Sequence, residues 1–429
     1  MGPIAGSGRA VIPWMTLMTT RATIWIFFVG VLVLVLVAFF AWRAGVESVP
    51  VSPESATEAQ VEPPPPAIAD DGSTWPMFGG GPGLLGRASG TLGETLAVLW
   101  KFPTADEVKS SPVIADGLVF IGSCDTNVYA LELSSGAKRW AHKTEDVIEG
   151  SPCVVDGTVF VGSGDGFLYA LAAQTGQLEW KYETNGEILG SPNWVHAPDG
   201  QQIWILIGSY DNRVHCVDAQ SGQAVWTYET DNYVNGSPAV ANGMCVFGGC
   251  DAIIHAVSVA DGSRVAGIDS GSYIAGSAAF IDGQVYLGNY DDVFLRADID
   301  ANEIVWEFTE SKGAIFSSPA VTDDLVIFGS RDNLVRALRR ADGTLVWTFK
   351  TLGEVDSSPA ICGDKVVVGS GDGRLYLLNL SDGKQLWSYE IGQPILSSPA
   401  VAQGVVVVGC EDGNVYAFGS VHANEGSTK

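Results

Sequence analysis

The sequence predicts an all-β fold, an eight-bladed β-propeller of four-stranded blades, preceded by one N-terminal transmembrane helix. Three observations lead to this expectation. A unit of about 40 residues occurs eight times, each unit contains four short runs with strand character, and an apolar run without charges lies near the N-terminus. Repeats of this length with four strands are typical of propeller blades.

The repeat starts with a serine that is followed by proline in seven of the eight units. The starts are Ser111, Ser151, Ser191, Ser237, Ser277, Ser318, Ser358 and Ser398. In the second unit, residues 154–155, 158–163, 167–172 and 177–182 are predicted as the four strands. Asp156-Gly157 and the glycine-rich residues 164–166 separate them, as turn residues do between alternating apolar runs.

The two ends of the repeat region predict how the ring closes. The last unit stops after residues 414–418, without a tryptophan-containing fourth strand, and residues 99–102 (Leu-Trp-Lys-Phe) precede the first unit as an unpaired copy of that strand. We expect the early segment to complete the eighth blade, because pairing the two ends leaves no exposed sheet edge.

Two repeated side chains are predicted to be structural. A tryptophan in the last strand is expected to pack between blades, at Trp100, Trp140, Trp180, Trp226, Trp306, Trp347 and Trp387, since a large flat ring buries much apolar area. The fourth unit has Gly267 in this region, so we expect that blade to pack more loosely. An aspartate three residues after the glycine that closes the second strand is expected to cap its own turn, at Asp125, Asp165, Asp211, Asp251, Asp291, Asp332, Asp372 and Asp412.

The N-terminal region predicts a membrane anchor and a tether. Residues 24–42 are 19 apolar residues without charge, enough to span a bilayer as a helix. The run is longer than the apolar part of a cleaved signal peptide. We expect residues 1–23 to be cytoplasmic, residues 24–42 to be an uncleaved signal anchor, residues 43–74 to be a disordered Pro/Glu-rich tether, residues 75–420 to be the propeller and residues 421–429 to be a disordered tail.

Charge and cysteine content restrict the function. The formal net charge is −26, which argues against a nucleic-acid partner and fits a solvated surface or a basic protein partner. The seven cysteines include no C-x-x-C motif and no adjacent pair, so structural packing is favoured over a disulfide or a reactive site. His215 and His255 share a repeat position with four tyrosines, which favours an ordinary blade position over a metal site. We therefore predict no catalytic, cofactor-binding or metal-binding residues.

Units of the form SPAV-x-DG…GSGDG-x-LYAL…TG…LW resemble the repeat of the PQQ-like (pyrroloquinoline quinone) β-propellers, and the opening residues 73–80 also resemble the start of such proteins. The resemblance covers roughly residues 75–418. It implies one of two functions, that of a quinone-dependent alcohol dehydrogenase or that of a non-enzymatic BamB-like outer-membrane-protein assembly factor. The resemblance to the dehydrogenases implies long insertions, a Ca²⁺-type ligand set and often adjacent cysteines, whereas this sequence has almost no insertions and no adjacent cysteines.

We therefore expect a BamB-like, non-enzymatic scaffold that binds unidentified envelope proteins. The first cysteine is Cys124, so a single-pass helix in the inner membrane takes the place of a lipidated cysteine, with the propeller on the periplasmic side. A PQQ-dependent dehydrogenase and a propeller that senses a small ligand are the alternatives.

Two irregularities are open to interpretation. The third unit is about six residues longer than most others, and His196, Pro198 and Asp199 in this insertion form either a partner-contact loop or a neutral surface loop. Arg331, Arg336, Arg339 and Arg340 form either a basic patch for an acidic partner or part of a solvated face.

Overall fold

A computed structural model describes residues 73–420, which form eight β-sheets arranged as the blades of a propeller. Two strands precede the first full blade, β1 (Arg87–Ala88) and β2 (Leu96–Pro103), and a short 3-10 helix spans Phe78–Gly80. The predicted cytoplasmic segment, anchor and tail, and the predicted tether except for Ser73 and Thr74, lie outside the described residues. Within residues 73–420, no helix has the length and apolar character needed to cross a bilayer.

The blades follow one another along the chain. Blade 1 consists of β3 (Val113–Ala115), β4 (Leu118–Gly122), β5 (Asn127–Glu132) and β6 (Lys138–Lys143). Blade 2 consists of β7 (Cys153–Val155), β8 (Thr158–Gly162), β9 (Phe167–Ala172) and β10 (Leu178–Glu183). Blade 3 consists of β11 (Asn193–His196), β12 (Ile203–Ser209), β13 (Arg213–Asp218) and β14 (Ala224–Glu229). Blade 4 consists of β15 (Ala239–Ala241), β16 (Met244–Gly248), β17 (Ile253–Ser258) and β18 (Arg264–Asp269).

The second half of the ring repeats the pattern. Blade 5 consists of β19 (Ala279–Ile281), β20 (Gln284–Gly288), β21 (Phe294–Asp298) and β22 (Glu303–Phe308). Blade 6 consists of β23 (Ala320–Val321), β24 (Leu325–Ser330), β25 (Leu334–Arg339) and β26 (Leu345–Lys350). Blade 7 consists of β27 (Ala360–Cys362), β28 (Lys365–Gly369), β29 (Arg374–Asn379) and β30 (Gln385–Glu390), with β1 added in parallel to β27. Blade 8 consists of β31 (Ala400–Ala402), β32 (Val405–Cys410), β33 (Asn414–Ser420) and β2.

Blade 8 joins the two ends of the propeller chain, as predicted. Strand β2 pairs antiparallel with β33, and Trp100 lies opposite Ala417 in the register. The four strands of blade 2 also lie within a residue or two of their predicted positions. Eight four-stranded blades are therefore confirmed, because the short alternating runs and their turns define the strands locally.

The repeat serines link the blades around the axis. The backbone N–H of each donates to the hydroxyl of the serine in the next blade at 2.8–3.0 Å, for Ser151, Ser191, Ser237, Ser277, Ser318, Ser358 and Ser398. The bond from Ser398 to Ser111 joins blade 8 to blade 1. The ring of blades is therefore closed by hydrogen bonds as well as by strand pairing.

The glycine that closes each second strand is required by close packing. A Cβ atom on Gly162 would lie 2.1 Å from Cγ2 of Ile188, which comes from the connection to the next blade. Ile188 is fully buried. Only glycine lets this apolar side chain approach the strand so closely, and the same arrangement recurs at Gly122 with Ile148.

The ring has two faces. The turns between the first and second strands of each blade lie on one face, which we call the sealed face because the segment of residues 75–88 lies across the axis on that side. The turns between the second and third strands, and the connections between blades, lie on the opposite face, which we call the far face. The far-face turns are tied to the connections, as in the bond from Cys250 N–H to the Tyr233 carbonyl (2.9 Å).

Candidate functional site

The segment of residues 75–88, here called the axial segment, crosses the central channel. Its backbone carbonyls accept hydrogen bonds from the innermost strands of blades 1, 2, 4, 5, 6 and 7, through the N–H groups of Ile114, Val154, Val240, Phe280, Val321 and Ile361. Asn193 of blade 3 donates its side-chain amide to Pro82 O at 2.8 Å. These bonds span the ring, so the axial segment closes the channel on the sealed face.

The cavity beside the axial segment is too small for a quinone cofactor. It measures about 10 Å³ and is lined by Trp75, Phe78 and Leu84 together with repeat serines. Small-molecule sites usually enclose roughly 300–1,000 Å³. Residues 73–420 also contain no cluster of three or more histidine, cysteine or carboxylate side chains placed to hold a metal ion. The residues at the axis therefore do not fit a quinone with a Ca²⁺-type ligand set.

Six of the repeat tryptophans join neighbouring blades in the same way. Their indole Nε1 groups donate to a carbonyl of the next blade at 2.7–3.2 Å, from Trp100, Trp140, Trp180, Trp226, Trp306 and Trp347. A glycine with positive φ lies under each ring, for example Gly176 under Trp140. The seventh, Trp387, packs edge-on against Phe418 of blade 8 (5.7 Å). Blade 8 has no turn at this point, because β33 and β2 come from opposite ends of the chain.

The junction between blades 4 and 5 lacks this tryptophan. Strand register places Ala266, opposite Ala256, at the position that Trp140 occupies opposite Ala130. Gly267, noted in this region from the sequence, is the next residue along the strand. Blade 5 has Asn302 (φ 54°) where the turn under other indoles has glycine, and Asn302 Oδ1 accepts a hydrogen bond from Gly267 N–H (3.1 Å). The junction between blades 4 and 5 therefore lacks both the tryptophan and the glycine that pack together at six other junctions.

Seven of the eight repeat aspartates form a side-chain hydrogen bond with the residue four positions later. Tyrosine hydroxyls four residues on donate to the carboxylates of Asp125, Asp165, Asp372 and Asp412 at 2.6–2.7 Å. His215, His255 and Arg336 occupy the tyrosine position next to Asp211, Asp251 and Asp332. The fifth blade differs, because Asp291 is exposed and Asn289 Oδ1 accepts the turn N–H groups of Asp291 and Val293 instead.

This substitution divides the ring into two halves. Blades 7, 8, 1 and 2 keep the aspartate–tyrosine pair, and we call them the regular half. Blades 3 to 6 carry histidine, histidine, leucine and arginine at the tyrosine position, and we call them the divergent half. In the regular half, burial raises the pKa of Asp125, but hydrogen bonds from Tyr129, Ala105 and Asn127 outweigh it and hold that pKa below its ordinary value.

His215 is held in a buried chain of hydrogen bonds. Its Nε2 lies 3.0 Å from Asp211 Oδ2, and its Nδ1 lies 3.0 Å from the hydroxyl of Tyr182 in blade 2. Burial lowers the pKa of His215, and the neighbouring Asp211 opposes this effect only in part. A neutral imidazole ring that donates a hydrogen bond to Asp211 and accepts one from Tyr182 uses both of its ring nitrogens. His215 therefore links blade 3 to blade 2.

The cysteines do not form a reactive centre. All seven are unpaired, and five of them are buried. Burial raises the pKa of Cys410 to about 12 and also raises the pKa of Cys153 and Cys245. Thiols of this kind do not supply the thiolate that nucleophilic or redox chemistry needs.

The arginine cluster of blade 6 is neutralised locally. Arg336 is buried against Asp332 and Ser330. Arg331 lies 2.7 Å from Asp356, and Arg340 lies 3.1 Å from Asp282. Of the two interpretations of this cluster, the free basic patch is therefore excluded for these three side chains.

The insertion in the third unit is the hairpin loop between β11 and β12, on the sealed face. His196, Pro198 and Asp199 are exposed, and the Asp199 carboxylate accepts the N–H of Gln201 at 2.9 Å. Gln201 and its neighbours line a cleft of about 420 Å³ between blades 2 and 3. The loop is well defined, but its contact role stays a prediction.

One feature was missed from the sequence. Several aromatic side chains of the divergent half lie together on the far face, and three of them are strongly exposed: Tyr233 (46%), Tyr273 (55%) and Tyr290 (51%). The signal was available in the alignment of the repeats, since no other unit has an aromatic residue at the position shared by Tyr233 and Tyr273.

Two family models match the chain. The model described as "Beta-alanine-activating enzyme, beta-propeller" matches residues 190–428, and the model described as "Outer membrane protein assembly factor BamB" matches residues 92–203. The first covers more than half of the chain. A search of curated proteins found no match.

Solved structures with the same fold include both functional classes. BamB from Moraxella catarrhalis has 21% sequence identity and a TM-score of 0.65, and the match covers 77% of this chain and all of that chain. A quinohemoprotein alcohol dehydrogenase from Pseudomonas putida has 13% identity and a TM-score of 0.67 (81% and 80% covered). A europium-containing methanol dehydrogenase has 13% identity and a TM-score of 0.68 (82% and 98% covered). At these identities the similarity shows the fold alone.

The match to the first of these models, over residues 190–428, extends over more than half of the chain. The chain therefore belongs to the β-propeller family described as that of the beta-alanine-activating enzyme, and its repeats are those of the PQQ-like, BamB-like β-propellers.

Proposed function

We propose that this protein is a non-enzymatic scaffold of the cell envelope, held at the inner membrane by residues 24–42 and binding other envelope proteins through its periplasmic propeller. The observation that carries the proposal is the closed axis. The axial segment bonds to most blades and leaves a cavity of about 10 Å³. The BamB-like repeats and the short loops, apart from the insertion in blade 3, favour the same conclusion, because a rigid ring with loop-covered faces is suited to binding proteins.

The first described residue is held by a turn of blade 8. The Ser73 carbonyl accepts a hydrogen bond from Gln403 Nε2 (3.1 Å), in a sealed-face turn of blade 8. The described chain therefore starts on the sealed face.

A thermal-stability titration of the full chain with pyrroloquinoline quinone and Ca²⁺ tests the alternative. A ligand present at about 100 times its Kd stabilises the folded state by about 2.7 kcal/mol, which raises the melting temperature. We expect no shift. A saturable shift, followed by quinone-dependent alcohol oxidation, contradicts the proposal.

Photo-crosslinking in cells tests the scaffold directly. Crosslinking residues placed on the far face, on the sealed face and on the outer strands are expected to capture a defined set of envelope proteins from at least one surface. Capture of no protein from any surface contradicts the proposed function.

A further inference from the structure

The far face carries two chemically different arcs. The tyrosine arc consists of Tyr210, Tyr233, Tyr273, Tyr290 and Phe316, all in the divergent half. The acidic arc consists of Glu354, Asp356, Glu411, Glu107 and Glu149, which follow around the ring from the connection into blade 7 to the connection into blade 2. Both arcs use the same repeat positions, so they lie at similar distances from the axis and face the same side.

The equivalence of the two arcs follows from their backbone bonds. In the tyrosine arc, Tyr290 N–H donates to the Tyr273 carbonyl (2.8 Å). In the acidic arc, the corresponding bond runs from Gly371 N–H to the Glu354 carbonyl (2.8 Å). Tyr273 and Glu354 are therefore presented by the same backbone geometry, and only the side-chain chemistry differs.

The tyrosine arc is ordered but open to solvent. Tyr210 and Tyr233 stack in parallel with ring centres 4.6 Å apart, and Tyr290 meets Phe316 edge-on at 5.5 Å. Tyr273 is 55% exposed. Clustered exposed aromatic side chains of this kind are typical of interaction sites, because they bury a large area with little loss of conformational freedom.

The acidic arc has more carboxylates than cations. Its five carboxylates are accompanied by Lys109, which lies 3.4 Å from both Glu107 and Glu149, and by Arg331, which lies 2.7 Å from Asp356. Burial raises the pKa of Glu411, and the charge of Glu107 raises it further. The arc would be stabilised by further cationic groups, which the described residues do not provide there.

Arg331 shows how a cation is bound where the arcs meet. Its guanidinium lies 3.7 Å from the ring centre of Phe316 while it pairs with Asp356. One cationic side chain thus stacks on the tyrosine arc and pairs with the acidic arc at the same time, which is a favourable combination for arginine.

We propose that the far face binds a polypeptide segment that carries both lysine or arginine and aromatic side chains, with its cations on the acidic arc and its aromatic rings on the tyrosine arc. This inference rests on the proposed scaffold function and adds the surface and the chemistry of the partner. Aromatic and arginine side chains dominate protein interfaces, and the negative far face supplies the charge complementarity.

The test uses the full chain in mild detergent and a fluorescent synthetic peptide in which lysine and tryptophan alternate, followed by fluorescence anisotropy. The variant Tyr273→Ala/Tyr290→Ala and the variant Glu107→Gln/Glu149→Gln/Glu354→Gln are each expected to weaken binding by about ten-fold or more. Added salt is expected to weaken binding to the parent protein more than binding to the glutamine variant.

Matched controls separate this surface from general attraction to an acidic protein. Asp116→Asn/Asp156→Asn/Asp300→Asn removes three charges from the sealed face, and Val265→Ala shortens an exposed apolar side chain on an outer strand. Both are expected to change binding less than about two-fold. Equal weakening by the sealed-face variant, or binding that is unaffected by loss of the two tyrosines, overturns the inference.

Two further outcomes are informative. Tyrosine-dependent binding of a neutral oligosaccharide, with no binding of the peptide, overturns the inference in favour of a glycan. If the peptide does not bind but envelope proteins still crosslink to the sealed face or the outer strands, the inference fails while the scaffold function stands. Binding to the far-face arcs together with crosslinks from the same face supports both.

Discussion

The regular and divergent halves of the ring have the same arrangement of strands but differ in the side chains at equivalent repeat positions. Blades 7, 8, 1 and 2 each hold a buried aspartate–tyrosine pair, whereas blades 3 to 6 have lost the tyrosine. The missing tryptophan at Ala266, the changed turn at Asp291 and the long loop of blade 3 all lie in the divergent half. The exposed tyrosines of the far face lie there too.

The irregular surface side chains therefore lie in the same half of the ring in which the internal aspartate–tyrosine pattern is absent. Stability in a ring of repeats depends on each unit and on its contacts with its neighbours. The aspartate–tyrosine contacts are present in one half, and the irregular side chains lie in the other half. The comparison predicts that equivalent substitutions have larger effects in the regular half.

The largest effect is expected for Trp140→Ala. Trp140 is 8% exposed, donates to Ala173 O at 2.8 Å and lies over Gly176, so its loss leaves a cavity and an unpaired carbonyl between blades 1 and 2. We expect the free energy of unfolding to fall by about 3–5 kcal/mol. Urea denaturation followed by circular dichroism measures this change.

The control for Trp140→Ala is Val305→Ala, which shortens a side chain that is 43% exposed on an outer strand of the divergent half. A change within about 0.5 kcal/mol is expected there. If Trp140→Ala is as mild as the control, the docked tryptophans do not stabilise the ring.

A smaller effect is expected for Tyr129→Phe. The variant removes the hydroxyl that donates to Asp125 Oδ2 at 2.7 Å and should cost about 1.5–3 kcal/mol at neutral pH. The pKa of Asp125 is lowered in the folded state, so its contribution to stability is present above the unfolded pKa of about 4 and is lost as the pH falls below it. The difference between variant and parent should therefore shrink in acid.

Asp291→Asn in the divergent half provides the comparison for Tyr129→Phe. Asp291 is exposed, and Asn289 rather than Asp291 accepts the turn N–H groups, so the change in stability should stay within about 0.5 kcal/mol. Comparable losses for the two variants would show that blade 5 depends on its aspartate as blade 1 does.

The smallest effect is expected for His215→Tyr, which gives blade 3 the aspartate–tyrosine pair of the regular half. The effect is a change in how the melting temperature depends on pH. The pKa of His215 is lowered in the folded state, so the stability it contributes is present above the unfolded value of about 6.5 and is lost as the pH falls. Each unit of pKa shift corresponds to about 1.4 kcal/mol. We expect the melting temperature of the variant to fall less than that of the parent between neutral pH and about pH 5.

His196→Tyr is the control for this measurement, because it replaces an exposed histidine in the blade 3 insertion. Its pH dependence should follow that of the parent protein. A parallel pH dependence for His215→Tyr as well would mean that the buried histidine does not couple stability to pH.

The amino-acid sequence alone was enough to establish the blades and how they close. Strands such as β9 and the pairing of β2 with β33 were predictable because alternating apolar residues and glycine turns act over a few residues and repeat eight times. The repeated tryptophans and aspartates were also visible, but the partners that they bond to in the next blade or turn were not.

The tertiary structure showed contacts that local sequence patterns do not specify. It placed the axial segment across the channel, showed that Arg331 and Arg336 are paired with acids, and gathered Tyr233, Tyr273 and Tyr290 on one face. Several of these contacts join residues from different blades or connections; Arg331, for example, lies 25 positions from Asp356. Loop lengths and blade packing, rather than sequence periodicity, determine which of these side chains meet.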